Sequence, residues 1–171
     1  SRPITDRYHN YDIASHEAKW ESFVTYTKNQ IEELLTGYGD VNVLWLDAGW
    51  VRSPEEPIGM DAIAEAARRL QPSILVVDRE VHGPNENYRT PEQEIPDSVL
   101  DHPWESCITM TRGWCSMRPD EAIKPMRRIV SNLLAIVSRG GNYLIGIGPD
   151  GSGRMSKWVR RGLDELGGFL E

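Results

Sequence analysis

The sequence predicts an α/β fold in which helices cover a parallel sheet. Short, almost continuously apolar segments alternate with amphipathic helical patterns, and this alternation is typical of parallel strands that are buried on both faces. A closed barrel of eight strands and eight helices usually needs about 250 residues, whereas this chain has 171 residues and four segments suited to strands. We therefore expect one parallel (β/α) barrel-like domain over 1–171, a half-barrel of about four strands with covering helices.

The first half of the chain predicts two helices and two strands. Apolar residues recur at helical spacing from Trp20 onwards, and this helix should end in the sequence TGYGD at Gly37. A buried strand is predicted at 41–47. A second helix over 60–70 is closed by the proline that follows it, and the apolar segment 73–78 is predicted to form the second strand.

The second half begins with a long loop and continues with two strands and two helices. Residues 79–98 lack an apolar period, and a loop of about 20 residues is either functional or a sign of a missed element. Strands are predicted at 105–110 and 142–148, and helices at 118–141, with a proline tolerated near the first turn, and at 155–171. The predicted buried stripes of these helices contain Ile129, Val130, Leu133, Leu134 and Val137 in the first and Trp158, Val159, Leu163, Leu166 and Phe169 in the second.

The composition restricts the partners of the protein. The formal net charge is −7 and no long run of Lys or Arg is present, which argues against a nucleic-acid or anionic-membrane partner. No apolar stretch approaches the roughly 20 residues that span a bilayer. The segment SRPITDRYHN is too polar for a signal peptide, so a cytoplasmic location would follow if the chain were complete. Cys107 and Cys115 are expected to be free thiols, the first one buried.

No motif for a metal or another cofactor is found, so we expect none to be needed. The histidines lack the spacing of metal ligands; they are His9, His16, His82 and His102. The glycine-rich segment GGNYLIGIGPDGSG contains neither phosphate-binding pattern and is interpreted as a turn. No serine lies in a GxSxG motif.

A carboxylate follows the first predicted strand. In a parallel α/β fold the active site lies at the carboxyl ends of the strands, and Asp47 lies there between Trp45 and Trp50. This arrangement suits a sugar, because apolar ring faces stack on indoles while the acid faces the anomeric carbon. The alternative is that Asp47 caps the helix beginning near residue 58, or a nearer turn.

A glycosidase needs a second carboxyl group to protonate the leaving oxygen. The long loop supplies Glu92 and Glu94, and the third strand begins near Glu105. Pro91 and Pro96 stiffen the backbone around Glu92, which favours this residue as a positioned acid. Solvated loop carboxylates without a catalytic role are the alternative interpretation for all three.

Three further side chains are candidates for binding the substrate. Arg79 follows the second strand directly and is suited to a bidentate contact with a sugar or a carboxylate. A structural ion pair with Asp78 or Glu80 is equally compatible with its position. Trp104 and Trp114 lie in the loop-rich part of the chain, where an indole is suited to form a platform for a sugar.

An ordered set of motifs resembles a known enzyme family. The segments are QIEELLTGYGDVNVLWLDAGWV, QPSILVVDREVHGPNENYRTPEQEIP, PWESCITM and IVSRGGNYLIGIGPDGSG. Together they are similar to the catalytic domain of glycoside hydrolase family 29, the retaining α-L-fucosidases, over nearly the whole chain. The resemblance implies hydrolysis of a terminal α-L-fucose from a fucosylated glycan or another α-L-fucoside by double displacement, without a cofactor.

The resemblance also implies a role for individual residues. Asp47 matches the nucleophile, and Glu92, in the motif TPE, matches the acid/base of one subfamily, with Glu105 and then Glu94 as alternatives. A retaining mechanism implies that the carboxyl groups of Asp47 and Glu92 lie about 5–5.5 Å apart. The residues expected to contact the sugar are Trp45, Trp50, Arg79, Tyr88, Trp104 and Trp114.

Several positions depart from the pattern of the family. Ala48 stands where the family often has Gly, and Gly146 replaces Asn in a motif that typically reads LNIGP. The segment RGWCSMRPD keeps Trp114 but lacks the aromatic residue usually found two positions later. The resemblance implies that the first strands of the family's barrel, with the histidines that bind the fucose hydroxyls, precede residue 1.

Three functional hypotheses follow. The first is an α-L-fucosidase, or the half of one that carries the catalytic carboxylates. The second is a non-catalytic carbohydrate-binding or remnant half-barrel that self-assembles, and the third is a piece of a longer or split enzyme. Because a half-barrel leaves open edges, we expect a homo-oligomer that completes the barrel. The side chains expected to face the partner include Val43, Trp45, Leu75, Val77, Ile108, Leu144 or Ile147.

Overall fold

The computed structural model describes residues 12–47, 51, 54–79, 83–115 and 122–171. In these ranges the chain forms four helices and four strands in the order that the sequence predicts. The helices are α1 (Glu17–Gly37), α2 (Met60–Leu70), α3 (Met126–Ser138) and α4 (Lys157–Leu170), and the strands are β1 (Val43–Leu46), β2 (Leu75–Asp78), β3 (Glu105–Thr109) and β4 (Asn142–Gly146). No helix within the described ranges is long and apolar enough to cross a membrane.

The strands form two parallel pairs, β1 with β2 and β3 with β4. The predicted α/β class with parallel strands is therefore confirmed. The chain divides into two compact units, the first ending at Arg89 and the second beginning at Thr90. Each unit holds one strand pair and two of the helices.

The first unit has its core between its two helices and its strand pair. The amide of Gln71, at the end of α2, connects the helices to β1. Its Nε2 donates to the carbonyls of Leu35 (2.8 Å) and Gly39 (3.0 Å), and its Oε1 accepts from the backbone N–H of Val41 (2.7 Å). The buried core residues are Ile31, Leu35, Leu44, Met60, Ile63, Ala64, Ala67, Ile74 and Val76. Both polar atoms of this amide thus connect the end of α2 to the segment that leads from α1 into β1.

In the second unit a short segment of the long loop joins the sheet. Glu92 forms an isolated parallel bridge with Cys107 on β3. The backbone N–H of Gln93 donates to the carbonyl of Cys107 (2.8 Å), and the N–H of Cys107 donates to the carbonyl of Pro91 (3.0 Å). Cys107 is buried and Cys115 is exposed, and neither forms a disulfide, as the sequence predicts. The region 91–93 is therefore an ordered edge of this sheet.

α3 begins later than the sequence predicts. Pro125 is its N-cap, with φ −52° and ψ 133°, and residues 122–125 are not helical. The extended ψ of Pro125 places this residue outside the helix, so the prediction of helix over 122–125 is wrong, and the predicted start at 118 lies outside the described residues. A proline has no N–H to donate and is accepted at a helix start more readily than inside a helix.

The buried faces of α3 and α4 are narrower than predicted. Four of the expected core residues are exposed: Leu134, Val137, Trp158 and Phe169. In α3 the buried face follows Ile129 and Ile136. In α4 it follows Val159 and Gly162, where a Cβ on Gly162 would lie 2.6 Å from Cδ1 of Ile123. Leu163 and Leu166 are partly buried against this core, whereas Trp158 and Phe169 remain exposed.

The apolar side chains expected to face a partner are only partly accessible. Val77 and Ile108 are buried, so their predicted exposure is wrong. Leu75, at the start of β2, is exposed. Trp45 and Leu144 are half-buried.

Candidate active site

Asp47 and Arg79 emerge side by side from the first strand pair. The register pairs Leu46 with Asp78, so the next residue of each strand lies at the same carboxyl edge. Nη1 of Arg79 donates to Oδ1 of Asp47 at 2.8 Å. The Arg79 side chain is only 11% exposed, whereas the Asp47 carboxylate is 64% exposed. The arginine is thus the fixed partner and holds a carboxylate that solvent can reach.

The Trp45 ring lies against the guanidinium of Arg79. The guanidinium carbon of Arg79 lies 4.8 Å from the centre of the Trp45 ring, which is a cation–π contact. Nε1 of Trp45 is buried and has no hydrogen-bond partner among the described residues. The sequence left a sugar contact and an ion pair open for Arg79, and the structure shows an ion pair with Asp47.

The alternative role of Asp47 as the cap of the next helix is wrong. α2 begins at Met60 with Gly59 as its N-cap, and no side chain caps it. Gly59 has a φ of 75°, in the left-handed region that favours glycine.

Glu92 is held at the edge of the second strand pair. Its backbone forms the bridge to Cys107 described above, and its side chain is exposed. Oε1 of Glu92 accepts a hydrogen bond from Nε1 of Trp114 at 3.0 Å. Trp114 is 42% exposed, so both the carboxyl group and the indole face solvent. The structure thereby brings together two of the residues that the sequence predicts.

A buried threonine anchors the residue next to Glu92. The Thr109 hydroxyl donates to the carbonyl of Thr111 (2.8 Å) and accepts from Nε2 of Gln93 (3.3 Å) and Nζ of Lys124 (3.1 Å). Gln93 has a φ of 56° and is the one non-glycine residue with a positive φ in the described part of the chain. These side-chain contacts hold a backbone conformation that L-residues rarely adopt.

Lys124 is a site residue that the sequence did not indicate. Burial lowers the pKa of Lys124 below its usual value, and the positive charge of Arg128 adds to this effect. Its backbone N–H also donates to the carbonyl of Met110 (2.8 Å). Lys124 falls in the first part of the predicted helix 118–141, outside its predicted buried stripe, so no pattern distinguishes it from an ordinary surface lysine.

The alternative acids occupy different places in the second unit. Glu105 is the first residue of β3 and pairs with Asn142, the first residue of β4. It therefore lies at the amino end of the pair, opposite the edge where Thr109 and Gly146 end the strands. Glu94 is exposed, and its carbonyl accepts from the Ser106 hydroxyl at 2.6 Å.

Trp104 belongs to the core. It is 3% exposed and precedes the first residue of β3. A Cβ on Gly141 would lie 2.5 Å from the Trp104 ring, so the indole packs directly on that backbone. The prediction that Trp104 forms a sugar platform is wrong, because neither face of a buried ring is open to a sugar.

Two other residues that the sequence predicts to contact the sugar give less information. Tyr88 is half-buried near the end of the first unit, and Trp50 lies outside the described residues.

Asp150, after β4, closes a turn: its Oδ1 accepts from the Ser152 hydroxyl and from the N–H groups of Ser152 and Arg154. These hydrogen bonds, that of the Ser152 hydroxyl first, lower the pKa of Asp150 to about 2.

Asp47 at the carboxyl end of a parallel strand lies where active sites of parallel α/β enzymes are found, and paired carboxyl groups are the catalytic groups of glycoside hydrolases. The sequence profile of the α-L-fucosidase family matches residues 3–171, and the chain belongs to this family. The predicted resemblance to glycoside hydrolase family 29 is thereby confirmed.

Individual relatives agree with this assignment. The chain is 26% identical over 170 residues to the plasma alpha-L-fucosidase of Pongo abelii, covering 94% of this chain and 36% of that protein. It is similar to the structure of alpha-L-fucosidase isoenzyme 1 from Paenibacillus thiaminolyticus, with a TM-score of 0.79 and 28% identity over 88% of this chain and 39% of that one.

A third relative was solved with a bound inhibitor. It is the Thermotoga maritima alpha-fucosidase in complex with a mechanism-based inhibitor, with a TM-score of 0.71 and 25% identity over 87% of this chain and 34% of that one. The chain thus spans between 34% and 39% of the length of these three relatives.

Proposed function

We propose that the protein is a retaining α-L-fucosidase in which Asp47 is the nucleophile and Glu92 the acid/base. The observation that carries this proposal is the Asp47 carboxylate, exposed at the end of β1 and held at 2.8 Å by a largely buried arginine. A solvent-accessible carboxylate with a fixed orientation is what attack on an anomeric carbon requires. The substrate is a terminal α-L-fucose on a glycan or a simpler aglycone.

In the first step, an oxygen of Asp47 attacks the anomeric carbon of the fucose. The bond from this carbon to the glycosidic oxygen breaks, and its electron pair passes to the leaving oxygen. Glu92 gives its proton to that oxygen, so the aglycone departs as a neutral alcohol. The product is an ester between Asp47 and the sugar, with the anomeric configuration inverted.

In the second step, Glu92 acts as a base. Its carboxylate removes a proton from water, and the resulting hydroxide attacks the anomeric carbon. The ester bond breaks and its electrons return to Asp47 as carboxylate. The second inversion restores the original configuration, and both carboxyl groups regain their starting protonation states.

Side chains around the nucleophile orient it. The guanidinium of Arg79 is restrained by the Trp45 ring at 4.8 Å, so it presents its N–H groups to Asp47 in one direction. A bidentate donor of this kind also suits a sugar oxygen beside the carboxylate. We assign Arg79 and Trp45 to the binding of the fucose, with Trp114 beside the acid/base.

The stereochemistry of azide products tests the two roles separately. Asp47→Ala should lower kcat/KM for 4-nitrophenyl α-L-fucoside by about 10⁴-fold or more, and azide should restore turnover with β-fucosyl azide as the product. Glu92→Ala should give α-fucosyl azide, because azide then enters from the side of the missing acid/base. Asp164→Ala and Glu165→Ala, at exposed positions on α4, serve as controls and should keep wild-type activity.

Wild-type activity in both Asp47→Ala and Glu92→Ala would overturn the mechanism. The same azide anomer from both variants would overturn the division of roles. Binding of fucose in calorimetry without any turnover would instead assign the protein to the non-catalytic carbohydrate-binding class.

We further propose that the four strands form a half-barrel that a second copy of the chain completes. The exposed Leu75 on β2 supports this proposal, because burying an apolar side chain of this size stabilises by about 1.5–3 kcal/mol. Light scattering should give at least twice the chain mass of 19.4 kDa. A single monomer peak, with unfolding independent of protein concentration, would contradict self-association.

A further inference from the structure

We propose that Gly146 and Trp114 are positioning residues for Glu92. The Trp114 indole packs on the backbone of Gly146 at the end of β4. In this position the indole donates its N–H to one oxygen of the Glu92 carboxyl. This inference rests on the role of Glu92 as acid/base proposed above. It assigns a function to a glycine through the indole that packs on it.

The distances around Gly146 show how closely the indole packs on its backbone. A Cβ at this position would lie 2.8 Å from Cζ3 and 2.9 Å from Cε3 of Trp114, and 3.2 Å from Cγ2 of Thr109. Contacts below 3.0 Å cannot be accommodated without movement. Thr109 is hydrogen-bonded to Thr111 and is paired with Gly146 in the sheet. The indole is therefore the part that a side chain at 146 would displace.

The indole in turn selects one oxygen of the acid. Nε1 of Trp114 lies 3.0 Å from Oε1 of Glu92, and an indole N–H can donate but cannot accept. Oε1 is thus the acceptor, and the proton of the acid form is directed to Oε2. The backbone of Glu92 is fixed independently by its bridge to Cys107. Bridge and indole together define where the transferable proton is held.

Moving the indole should have two consequences. A hydrogen bond to the charged form of a carboxyl group favours that form, so its loss shifts the ionisation of the acid to higher pH. The indole would also no longer favour the proton on Oε2, and the acid would be less well aligned with the glycosidic oxygen. The second effect should matter most for substrates whose leaving group needs protonation.

The experiment uses Trp114→Phe, Gly146→Ala and their double variant, with Glu92→Gln as the reference. The readouts are the pH profile of kcat/KM and the ratio of kcat/KM for an aryl fucoside with a good leaving group to that for an alkyl fucoside. Gly167→Ala, where a Cβ meets no atom within 4 Å, and Trp158→Phe, at a similarly exposed tryptophan, are the matched controls.

Both single variants should move the alkaline limb of the profile to higher pH by about 0.5–1 unit. Both should lose more activity on the alkyl than on the aryl fucoside, and the double variant should shift the limb no further than Trp114→Phe does. The two controls should leave the limb and the ratio unchanged. Trp114→Phe needs no additional space, so it tests the hydrogen bond even if Gly146→Ala does not fold.

Two different negative outcomes can be told apart. If Glu92→Gln abolishes the alkaline limb while Trp114→Phe and Gly146→Ala leave it in place, the positioning role is wrong and the acid/base role stands. If Glu92→Gln keeps the wild-type limb, the acid/base role is wrong, and the positioning role is overturned with it. Additive shifts in the double variant would also refute the idea that Gly146 acts through Trp114.

Discussion

Replacing Arg79 by methionine tests how the proposed nucleophile is held. The change removes the guanidinium that lies 2.8 Å from Asp47 and 4.8 Å from the centre of the Trp45 ring, while methionine keeps much of the apolar stem. Asp47 is 64% exposed, so water screens the ion pair, and such pairs contribute about 0.2–1 kcal/mol. The cation–π contact adds about 0.5–1 kcal/mol. We therefore expect the free energy of unfolding to fall by only about 1–2 kcal/mol.

The effect of the same change on activity should be much larger. Without the guanidinium, the Asp47 carboxylate is free to rotate away from the anomeric carbon, and a misplacement of about 1 Å can cost about 100-fold in rate. Urea unfolding followed by tryptophan fluorescence measures the first quantity. The kcat/KM for 4-nitrophenyl α-L-fucoside, measured well below the unfolding midpoint, gives the second.

The control is Arg69→Met, in the same unit. Arg69 is exposed and lies 4.0 Å from Glu65, at the limit of an ion pair, so both stability and activity should stay near those of the wild type. Wild-type kcat/KM in Arg79→Met would refute the orienting role of Arg79. So would a loss of activity no larger than the loss of folded protein.

Other side chains give outcomes that can be measured independently. Glu105→Gln should keep wild-type kcat/KM on an alkyl fucoside while Glu92→Gln loses it, because Glu105 starts β3 at the amino end; equal losses would contradict the assignment. Trp104→Ala should lower the free energy of unfolding in urea by about 3–5 kcal/mol, since the ring is 3% exposed; a loss below 1 kcal/mol would contradict its place in the core. Hydrogen bonds, that of the Ser152 hydroxyl first, depress the pKa of Asp150 from 3.8 to about 2, so the stabilisation of this turn should be complete above the ordinary value and lost as the pH falls through about 2. A carboxyl carbon titration by NMR with a midpoint near the ordinary value would contradict the turn.

The order of elements could be predicted because helix-breaking residues stand at their ends. α2 spans the predicted range, between a glycine with positive φ at Gly59 and the proline at Pro72. The strands are shorter than predicted, since apolar sequence reports burial rather than hydrogen bonding. Ile74 shows the difference: it is 3% exposed but precedes the first paired residue of β2, Leu75.

The sequence predicts the site residues that follow directly from the ends of strands. It does not predict the contacts between residues that are far apart in the chain. Trp104 and Trp114 look alike in the sequence, both outside any periodic pattern. Trp104 is buried and Trp114 is exposed, although each packs on a glycine that is distant in the sequence, Gly141 or Gly146, and such contacts leave no pattern in the sequence. For Glu92 the sequence predicts only a loop, because a bridge of one residue is too short to leave an alternating pattern.

In both strand pairs, the strand register determines which side chains lie beside the proposed catalytic carboxyl group. In the first pair, matching Leu46 with Asp78 places Arg79 beside Asp47. In the second, matching Thr109 with Gly146 places the glycine where the indole that binds Glu92 needs it. A slip of one residue would turn the side chains of a strand to the opposite face and would separate each carboxyl group from its partner. The orientation of the proposed catalytic groups therefore depends on the apolar core that fixes the register, and core variants that leave the overall fold intact should still reduce activity.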